Sequence, residues 1–396
     1  MGDPYGDPAI FKSCTYFPFL MRCVIILIIM DKKDEKTEIK TEFLVMHMQG
    51  ENCADQEMDG IRRAGEILQK GGLVAFPTET VYGLGGDALN PDSSRKIYAA
   101  KGRPSDNPLI VHIAELDALQ KIVSQIPQTA WRLADAFWPG PLTMILPKSD
   151  AVPKETTGGL DTVAVRMPSH GVALALIRAA GGYVAAPSAN TSGRPSPTKA
   201  SFVAEDLNGK IDMILDGGEV GIGLESTIVD LTVEPPQILR PGYITKTMLE
   251  EVLGKVAVDA TVLALASGEE CSQAPRAPGM KYRHYAPKGQ LTIVRGEEQA
   301  VADYINAQAR VGRGAGEKVG VIGTEELLAR YEADVVKSAG SRTDEATIAH
   351  RLYGILREFD EEQVTRIYSE SFATEGLGQA IMNRLLKAAG HHVVDV

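Results

Sequence analysis

The sequence predicts an α/β protein with two domains, and three observations support this prediction. Short apolar runs that end in polar or proline-rich turns alternate with amphipathic stretches, as strands alternate with helices in α/β proteins. A segment rich in proline, glycine and polar residues, 266–290, separates two such patterns. The chain has 396 residues, a length that favours two domains over one. We therefore expect a larger mixed-sheet domain followed by a smaller one.

The first pattern defines a predicted domain over residues 51–256. GIRRAGEILQKGG predicts a helix, because its apolar residues share one face and two glycines follow them. LVAF predicts a short buried strand that a proline closes. PDSSRKIYAAKGRP predicts a second helix, N-capped at Asp92 or Ser93 and ended by Gly102 and Pro104. This places Lys101 at a helix end, directly before a strand.

The alternation continues through the rest of this domain. Two further stretches predict helices: TAWRLADAFW and YITKTMLEEVLGKV. Six apolar runs predict strands: LIVHIA, PLTMILPK, DTVAVRMP, YVAAPSAN, MILDGG and ESTIVDLT. Because most of these runs end in a polar or proline-rich turn, a sheet with functional loops at its strand ends is expected.

The second pattern predicts a small Rossmann-like domain over residues 291–396. Its strands are expected in LTIVRG, KVGVIGT, DVVKSAG and VTRIYSE, and its helices include DEATIAHRLYGILREFDEE and GLGQAIMNRLLKAAG. The glycines at 312, 314 and 316 precede a strand instead of following one, so we interpret them as a loop and not as a dinucleotide fingerprint. Between the domains, residues 257–290 are predicted to form a linker. Its YRHY cluster suggests a lid over the ligand site.

Composition narrows the functional classes. The net charge of −11 excludes an overall basic surface of the kind that holds nucleic acid, although a local basic groove stays compatible with it. The four cysteines form no CxxC pair and no metal-like pattern with histidine. They are typical of free thiols in a reducing cytosol, so we expect a cytoplasmic protein.

The first 50 residues are interpreted as an N-terminal extension, disordered or non-native, outside the fold. Its apolar run, 17–30, is broken by Arg22, and the uninterrupted part is shorter than the roughly 20 residues that span a bilayer. A signal anchor is the alternative, but no small-residue cleavage site follows the run. If residues 1–30 are a non-native extension, Met30 would be the true start site. No membrane association is expected.

The polar residues at predicted strand ends are the candidate site. The sequence contains no GxxxxGK[ST], HExxH or GxSxG motif, so these standard signatures do not apply. In open α/β sheets ligands bind beyond strand ends, and lysine and arginine from several loops can converge there on an anion. The residues in question are Thr78, Glu79, Thr80, Lys101, Arg103, Asn107, His112, Thr162, Arg166, Ser188, Asn190, Ser226, Thr227 and Arg240.

Each of these residues also has a structural explanation. Lys101 and Arg103 can complement the dipole of a helix C-terminus, worth roughly 0.3–1 kcal/mol. A histidine inside an apolar strand, such as His112, is more often a satisfied core residue. Ser188 and Asn190 can be turn residues. Arg166 lies within a strand and needs a partner, for which Glu79 and Glu225 are candidates.

Several long motifs, taken together, resemble one family. FPTETVYGLGGDA, KGRPSDNPLIVH, WPGPLT, VAVRMP, APSANTSGRPSPT, ESTIVD and ILRPG occur in this order and closely resemble the YrdC/Sua5 family of threonylcarbamoyl-AMP synthases. The match covers about residues 59–245. GMKYRHYAP and YSESFATEGLGQAIMNRLLKAA resemble the extra C-terminal domain of the two-domain Sua5 branch. The resemblance implies a YrdC-like mixed-sheet domain with a concave ligand groove and a smaller Sua5 domain.

The resemblance also implies a reaction and its residues. Family members form threonylcarbamoyl-AMP and pyrophosphate from L-threonine, bicarbonate or CO2, and ATP, with Mg2+ accompanying ATP, and a transferase then uses the product for t6A modification of tRNA. The catalytic signature would fall on Lys101, Arg103, Ser188 and Asn190. Threonine would contact Thr80, His112, Arg166, Ser188 and Ser226. ATP would contact Arg103, Asn107, Thr162, Asn190, Thr198, Arg240 and Tyr285, with Tyr285 folding over the nucleotide.

A binding module is the alternative class of function. Members of the family are also credited with binding double-stranded RNA, which a concave basic groove would allow, and tRNA is a related candidate partner. The acidic net charge counts against this alternative. Affinity for RNA would fall steeply with salt, whereas turnover of small substrates would depend on threonine and bicarbonate.

Overall fold

The computed structural model describes residues 39–47, 55–267 and 285–396, which form two α/β domains with one sheet each. The strands of the first sheet are β1 (Glu42–Val45), β2 (Val74–Phe76), β3 (Gly83–Asp87), β4 (Ile110–His112), β5 (Leu142–Pro147), β6 (Thr162–Arg166), β7 (Val184–Ala186), β8 (Met213–Asp216), β9 (Thr227–Asp230), β10 (Gln237–Arg240) and β11 (Ala257–Val258). Their spatial order is β1-β8-β2-β3-β7-β4-β6-β5-β9-β10-β11. Parallel pairs such as β4–β6 and antiparallel pairs such as β5–β6 coexist, so the predicted mixed sheet is confirmed.

Helices cover this sheet and bury its apolar residues. They are α1 (Asp55–Gln69), α2 (Pro91–Lys101), α3 (Leu119–Ile122), α4 (Gln128–Phe137), α5 (Gly171–Ala179), α6 (Ala200–Leu207), α7 (Lys246–Leu253) and α8 (Ala260–Ser267). The predicted apolar face of α1 is confirmed, because Ile61, Ala64 and Leu68 are buried against the strand residues Val74 and Phe76. Burial of that face, more than helix propensity, holds the helix in place.

The helix that carries Lys101 begins earlier than predicted. Its N-cap is Asn90, whose side chain accepts a hydrogen bond from the Asp92 backbone amide at 3.0 Å, and Pro91 occupies the first helical position. The prediction of Asp92 or Ser93 as the cap is therefore wrong; a proline suits the first turn because that turn needs no amide donor. Gly102 ends the helix at φ 62°, as predicted.

Two predicted boundaries of the first domain also need correction. Residues 42–45, assigned to the N-terminal extension, form β1, which pairs in parallel with β8 at the edge of the sheet. Residues 257–267, assigned to the linker, form β11 and α8, and β11 pairs with β10. The remainder of the predicted lid, 268–284, and the segment 1–38 lie outside the described residues.

The second domain has a five-stranded, all-parallel sheet, so the predicted Rossmann-like domain is confirmed. Its strands are β12 (Gln290–Arg295), β13 (Val319–Thr324), β14 (Val335–Gly340), β15 (Arg366–Glu370) and β16 (Val393–Asp395), in the spatial order β14-β13-β15-β12-β16. Its helices are α9 (Glu298–Gly314), α10 (Glu345–Glu361) and α11 (Gly376–Ala388). The glycines at 312 and 314 lie in the last turn of α9, which corrects their interpretation as a loop.

Helix α10 joins the two domains through a buried arginine. The guanidinium of Arg357 donates to both carboxylate oxygens of Asp206, at 2.9 and 2.8 Å, and to the Pro195 carbonyl. Both side chains of this ion pair are fully buried. Loss of either partner would remove a buried, bidentate charge pair that connects the C-terminal domain to the first domain, and it should be destabilising.

Among the described helices, none combines the length and the apolar character that a membrane span requires.

Candidate active site

Most of the predicted site residues line one pocket of the first domain. The space within it, counted together with its solvent-open mouth, is about 690 Å³. The predicted residues in its wall are Thr80, Lys101, Arg103, His112, Arg166, Ser188, Asn190, Ser226, Arg240 and Tyr285. Thr78, also predicted from its position at a strand end, lines it as well, as does Glu225. The pocket wall therefore combines apolar surface with many polar side chains, four of them cationic.

Topology explains why two of these residues meet. His112 is the last residue of β4 and Arg166 is the last residue of β6. The two strands are parallel neighbours, and these two residues are directly paired in register. Both side chains therefore emerge at the same edge of the sheet, where ligands of open α/β sheets bind.

Lys101 reaches the pocket from the last turn of α2. It is 2% exposed, and its ammonium donates hydrogen bonds to the backbone carbonyls of Ser188 and Asn190 and contacts Asn190 Oδ1 at 3.4 Å. Burial, and next the charge of Arg103, lowers the pKa of Lys101 well below its ordinary value. A solvated lysine at a helix end would show neither feature, so Lys101 does more than complement the helix dipole.

The loop that follows β7 is held around this ammonium. Ser188 Oγ donates to Asn190 Oδ1 at 2.5 Å, and Asn190 Nδ2 donates to the carbonyls of Thr191 and Arg194, each at 2.9 Å. The amide of Asn190 is therefore fixed in one orientation. Lys101, Ser188 and Asn190 form a single preorganised unit in the pocket wall.

Arg103 lies on the loop between α2 and β4. Its guanidinium donates to the carbonyls of Asn107 and Pro108 at 3.2 and 3.1 Å. Burial lowers the pKa of Arg103 to about 10, so the side chain keeps its charge at neutral pH. Because each of these bonds uses one donor of a five-donor group, the guanidinium can still bind an anion in the pocket.

Arg166 lines the same pocket from the end of β6. It is 4% exposed, its Nη1 donates to Thr80 Oγ1 at 2.9 Å, and its Nη2 lies 2.7 Å from Glu79 Oε1. The contact with Glu79 is an ion pair outside hydrogen-bond alignment. Of the two structural partners predicted for Arg166, Glu79 is the one found.

His112 is buried beside Arg166. Its Nδ1 lies 3.1 Å from the Ile110 carbonyl, which can only accept, so Nδ1 carries the proton of the neutral ring. Burial, and next the charge of Arg166, lowers the pKa of His112 to about 3. A neutral His112 can accept a hydrogen bond at Nε2 from a donor in the pocket.

Acidification is expected to destabilise the protein through His112. In the unfolded chain His112 gains a proton below its ordinary pKa of 6.5, whereas in the folded protein it stays neutral down to about pH 3. Between pH 6.5 and about 3 the unfolded state therefore binds more protons than the folded state. As the pH decreases through this range, His112 lowers the free energy of unfolding by about 1.4 kcal/mol per pH unit.

Urea unfolding of His112→Gln between pH 6.5 and 4.5 tests this expectation. The variant should lose less stability than the unsubstituted protein over that range, and the exposed His47→Gln should behave as the unsubstituted protein does. Equal pH slopes for all three proteins would contradict the neutral, buried state of His112.

Ser226 and Arg240 form the wall next to the C-terminal domain. Arg240 Nε donates to the Ser226 carbonyl at 3.0 Å, and its Nη2 donates to Ser226 Oγ at 3.2 Å. Ser226 Oγ also lies 2.8 Å from Thr143 Oγ1. Both contacts fix the serine hydroxyl in position.

Glu225 is the main wall residue that the sequence analysis did not place at the ligand site. Its carboxylate accepts hydrogen bonds from Ser196 Oγ at 2.5 Å and from Arg384 Nε at 2.9 Å, and the Tyr353 hydroxyl lies 2.9 Å from Oε2. Arg384 and Tyr353 belong to α11 and α10 of the C-terminal domain. The available signal was Arg384, which lies between the apolar pairs Ile381-Met382 and Leu385-Leu386 of α11.

Tyr285, the first described residue after the gap, lies at this same boundary. It is 5% exposed, and its ring centroid lies 5.2 Å from that of Tyr353. Its φ of 66° is unusual for a residue with a large side chain, and the next amide, Ala286 N, donates to the Gly193 carbonyl at 2.9 Å. The end of the linker is therefore held against the pocket.

Five predicted site residues lie outside the pocket wall. Glu79 pairs with Arg166, and the Thr227 hydroxyl donates to the Ile244 carbonyl at 2.7 Å. The other three are Thr162, Thr198 and Asn107. Thr162 is partly exposed at the start of β6. Thr198 is buried and faces α10, where a Cβ built on Gly354 would lie 3.9 Å from its hydroxyl. Asn107 is 1% exposed, and neither side-chain amide atom has a protein partner. Its backbone carbonyl nevertheless accepts from Arg103, so it borders the pocket.

The charges of the pocket favour an anionic ligand. Its wall holds four cationic side chains and one carboxylate, Glu225, which Arg384 neutralises. In a site that is partly closed to water, fixed cations stabilise negative charge more strongly than they do in solution.

Comparison with known proteins identifies the family. A profile described as "Telomere recombination" matches residues 66–242, and one described as "Threonylcarbamoyl-AMP synthase, C-terminal domain" matches residues 244–390. A threonylcarbamoyl-AMP synthase of Bacillus subtilis is 50% identical over 335 residues, which is 84% of this chain and 94% of the relative. The chain belongs to the threonylcarbamoyl-AMP synthase family. Its two-domain, Sua5-type organisation is confirmed.

Further members of the threonylcarbamoyl-AMP synthase family agree with this assignment. The synthase of Pyrococcus abyssi is 48% identical over 336 residues, which is 85% of this chain and 96% of the relative. The crystal structure of P. abyssi Sua5 complexed with L-threonine matches 90% of this chain and 100% of that chain, with a TM-score of 0.83 and 46% identity.

Proposed function

We propose that this protein forms threonylcarbamoyl-AMP and pyrophosphate from L-threonine, bicarbonate or CO2, and ATP. The observation that carries the proposal is the convergence of Lys101, Arg103, Arg166 and Arg240 on one pocket, in a chain that is 50% identical to a threonylcarbamoyl-AMP synthase. The alternative, a double-stranded RNA-binding module, is less well supported, because the cations line a confined pocket that suits a small anion.

Threonine would occupy the end of the pocket formed by Arg166, Thr80 and His112. The guanidinium suits the α-carboxylate, and the neutral imidazole can accept from the ammonium or the hydroxyl of the amino acid. Ser188 and Ser226 lie in the same wall and would complete the polar contacts. The P. abyssi relative, solved with L-threonine, supports an amino-acid site in this fold.

ATP would occupy the end of the pocket formed by Arg103, Asn190 and Arg240, with Tyr285 against the nucleotide. The unpartnered amide of Asn107 could bond a ligand group beside Arg103. Thr162 and Thr198, outside the wall, stay predictions from the family resemblance. So does the lid, whose central segment is not described.

The reaction would proceed in two bond-forming steps. The neutral amine of threonine attacks the carbon of CO2 and releases a proton to solvent, or attacks the carbon of bicarbonate with loss of water, to give a carbamate. A carbamate oxygen then attacks the α-phosphorus of ATP, the bond from that phosphorus to the bridging oxygen breaks, and pyrophosphate leaves with the electron pair. Because two anions must meet, Lys101 and Arg103 would neutralise charge and fix geometry, while Ser188 and Asn190 orient the lysine.

Mg2+ would enter with the ATP phosphates. Of the carboxylates at the pocket, Glu225 is engaged by Arg384 and Ser196, and Glu79 lies against Arg166. Neither suits a divalent cation as long as these arginines are in place, whereas phosphate oxygens bind Mg2+ readily. The metal would supply charge neutralisation on the leaving pyrophosphate.

The product would serve tRNA modification. A mixed anhydride of a carbamate and AMP is a reactive acyl donor, so a separate tRNA threonylcarbamoyl transferase would consume it to form t6A. We place these steps in the cytoplasm, where tRNA and ATP are available.

Pyrophosphate release by the purified full-length protein tests the proposal. Release should require threonine, bicarbonate and ATP together, and omission of any one should reduce it to background. Release without threonine and bicarbonate would indicate a general ATP pyrophosphatase. No release from a folded, nucleotide-binding protein would overturn the proposal in favour of RNA binding, and salt-sensitive RNA affinity would then be measured.

A further inference from the structure

Glu225 is an unexpected residue in the wall of a pocket that attracts anions. The side chain is 6% exposed and lies directly before Ser226 in the chain. Burial alone would raise the pKa of Glu225, but the charges of Arg384 and Arg240 outweigh burial and hold it at about 2. Glu225 is therefore ionised at neutral pH, and an unpaired carboxylate here would repel the phosphates of a nucleotide.

The C-terminal domain supplies the groups that neutralise Glu225. Arg384 Nε donates to Oε2 at 2.9 Å, and the Tyr353 hydroxyl lies 2.9 and 3.1 Å from the two carboxylate oxygens. Arg384 is 1% exposed and is itself fixed, since its Nη1 donates to the Pro241 carbonyl at 2.8 Å. Neither Arg384 nor Tyr353 lines the pocket, so each acts on the site only through another residue.

The same two residues hold the end of the linker. The ring of Tyr285 stacks on Tyr353, with centroids 5.2 Å apart and an angle of 32° between the planes. The guanidinium carbon of Arg384 lies 5.9 Å from the centroid of the Tyr285 ring, within the range of a cation–π contact. Moving either residue would therefore displace a side chain of the pocket wall.

Helix α10 also packs against the segment before Glu225, and this segment contacts the predicted threonine site. A Cβ on Gly223, which has φ 82°, would lie 2.5 Å from the His350 carbonyl of α10, so only glycine fits there. The Gly223 amide donates to the Thr80 carbonyl at 3.0 Å, and the Ile222 amide donates to the Glu79 carbonyl at 2.9 Å. The C-terminal domain thus reaches Thr80 through one short segment.

We propose that Arg384 and Tyr353 are positioning residues for the active site, which fix and neutralise Glu225 and thereby orient Ser226, Arg240 and Tyr285. The C-terminal domain is then a structural part of the synthase site and more than a support for the linker. This inference rests on the proposed function for its kinetic readout, but not for its binding readout.

The first test replaces the charge of Arg384 in the full-length protein. Arg384→Met should lower kcat for threonine- and bicarbonate-dependent pyrophosphate release by about 10–100-fold, as displacement of a positioned group does, and should raise the KM for ATP. Arg384→Lys should retain more activity than Arg384→Met, and Tyr353→Phe should show a smaller loss than either.

Charge rescue distinguishes positioning from a purely structural role. In Arg384→Met/Glu225→Gln the unpaired carboxylate is gone, so the KM for ATP should return toward that of the unsubstituted protein. Arg342→Met is the matched control, because Arg342 pairs with the buried Glu370 inside the C-terminal domain, away from the pocket. It should lower the melting temperature without changing the KM for ATP.

Calorimetric binding of a non-hydrolysable ATP analogue keeps the inference testable if turnover is absent. Arg384→Met should weaken this binding, and the double variant should restore it. Equal affinity in Arg384→Met and the unsubstituted protein would overturn the inference. It would also be overturned if Arg342→Met, at a similar loss of melting temperature, weakened ATP-analogue binding and turnover as much as Arg384→Met does. Absence of pyrophosphate release from the unsubstituted protein would refute the proposed function alone.

Discussion

Lys101→Met is expected to reduce threonine- and bicarbonate-dependent pyrophosphate release by about 10²–10³-fold, the effect of removing one preorganised charge-stabilising donor. The ammonium is buried, and three oxygens of the Ser188–Asn190 loop surround it, so water cannot replace it. An initial-rate assay at saturating substrates measures the loss. The affinity for the ATP analogue should fall by a smaller factor than kcat does. The charge of Lys101 matters most when the carbamate approaches the α-phosphate, since both are anionic.

The matched control for this substitution is on the same helix. Lys96 also donates to a backbone carbonyl, that of Gly71 at 2.6 Å, but it does not line the pocket. Lys96→Met should keep nearly full activity with a similar or smaller change in melting temperature. If Lys101→Met retained more than about a tenth of the activity, the proposed charge neutralisation would be wrong.

Arg166→Ala is expected to abolish the thermal stabilisation that threonine gives. A ligand at about 100 times its Kd stabilises a protein by about 2.7 kcal/mol, which a melting curve resolves easily. Without the guanidinium the α-carboxylate has no bidentate partner, and Glu79 is left to repel it. The shift caused by the ATP analogue should persist, because the proposed ATP contacts Arg103, Asn190 and Arg240 do not include Arg166.

Two variants serve as controls for Arg166→Ala. Arg178→Ala removes an exposed arginine that pairs with Glu115 at 2.7 Å, and it should leave the threonine shift unchanged. Arg166→Ala/Glu79→Gln removes the unpaired carboxylate and separates repulsion from loss of attraction. An undiminished threonine shift in Arg166→Ala would place the amino-acid site elsewhere.

Much of the fold was predictable because the buried strands and amphipathic helices carry strong periodic signals. Two of the strands that were missed show why other elements were harder to predict. In β1 every second residue is partly buried and the others are exposed, and a charged segment precedes the strand. Its four residues therefore gave only a weak hydrophobic pattern in the sequence. β3 is rich in glycine, and it forms a strand because neighbouring strands supply its hydrogen bonds on both sides.

The sequence predicted those parts of the site that follow from the order of strands in the first domain. It did not predict the parts that depend on contacts with the C-terminal domain. His112 and Arg166 end neighbouring strands, so their proximity follows from the α/β pattern. The partners of Glu225 are 128 and 159 residues away in the chain, and no local pattern connects them. Conversely, Thr198 matches the family motif but faces helix α10 instead of the pocket.

Product analysis with isotopically labelled bicarbonate tests the central claim most directly. The protein is incubated with ATP, L-threonine and 13C-bicarbonate, and the nucleotide products are analysed by mass spectrometry. We predict an AMP adduct that contains both threonine and the labelled carbon, formed together with pyrophosphate and absent in Lys101→Met. Pyrophosphate with AMP alone, or an adduct without the label, would contradict carbamate attack on the α-phosphorus in this pocket.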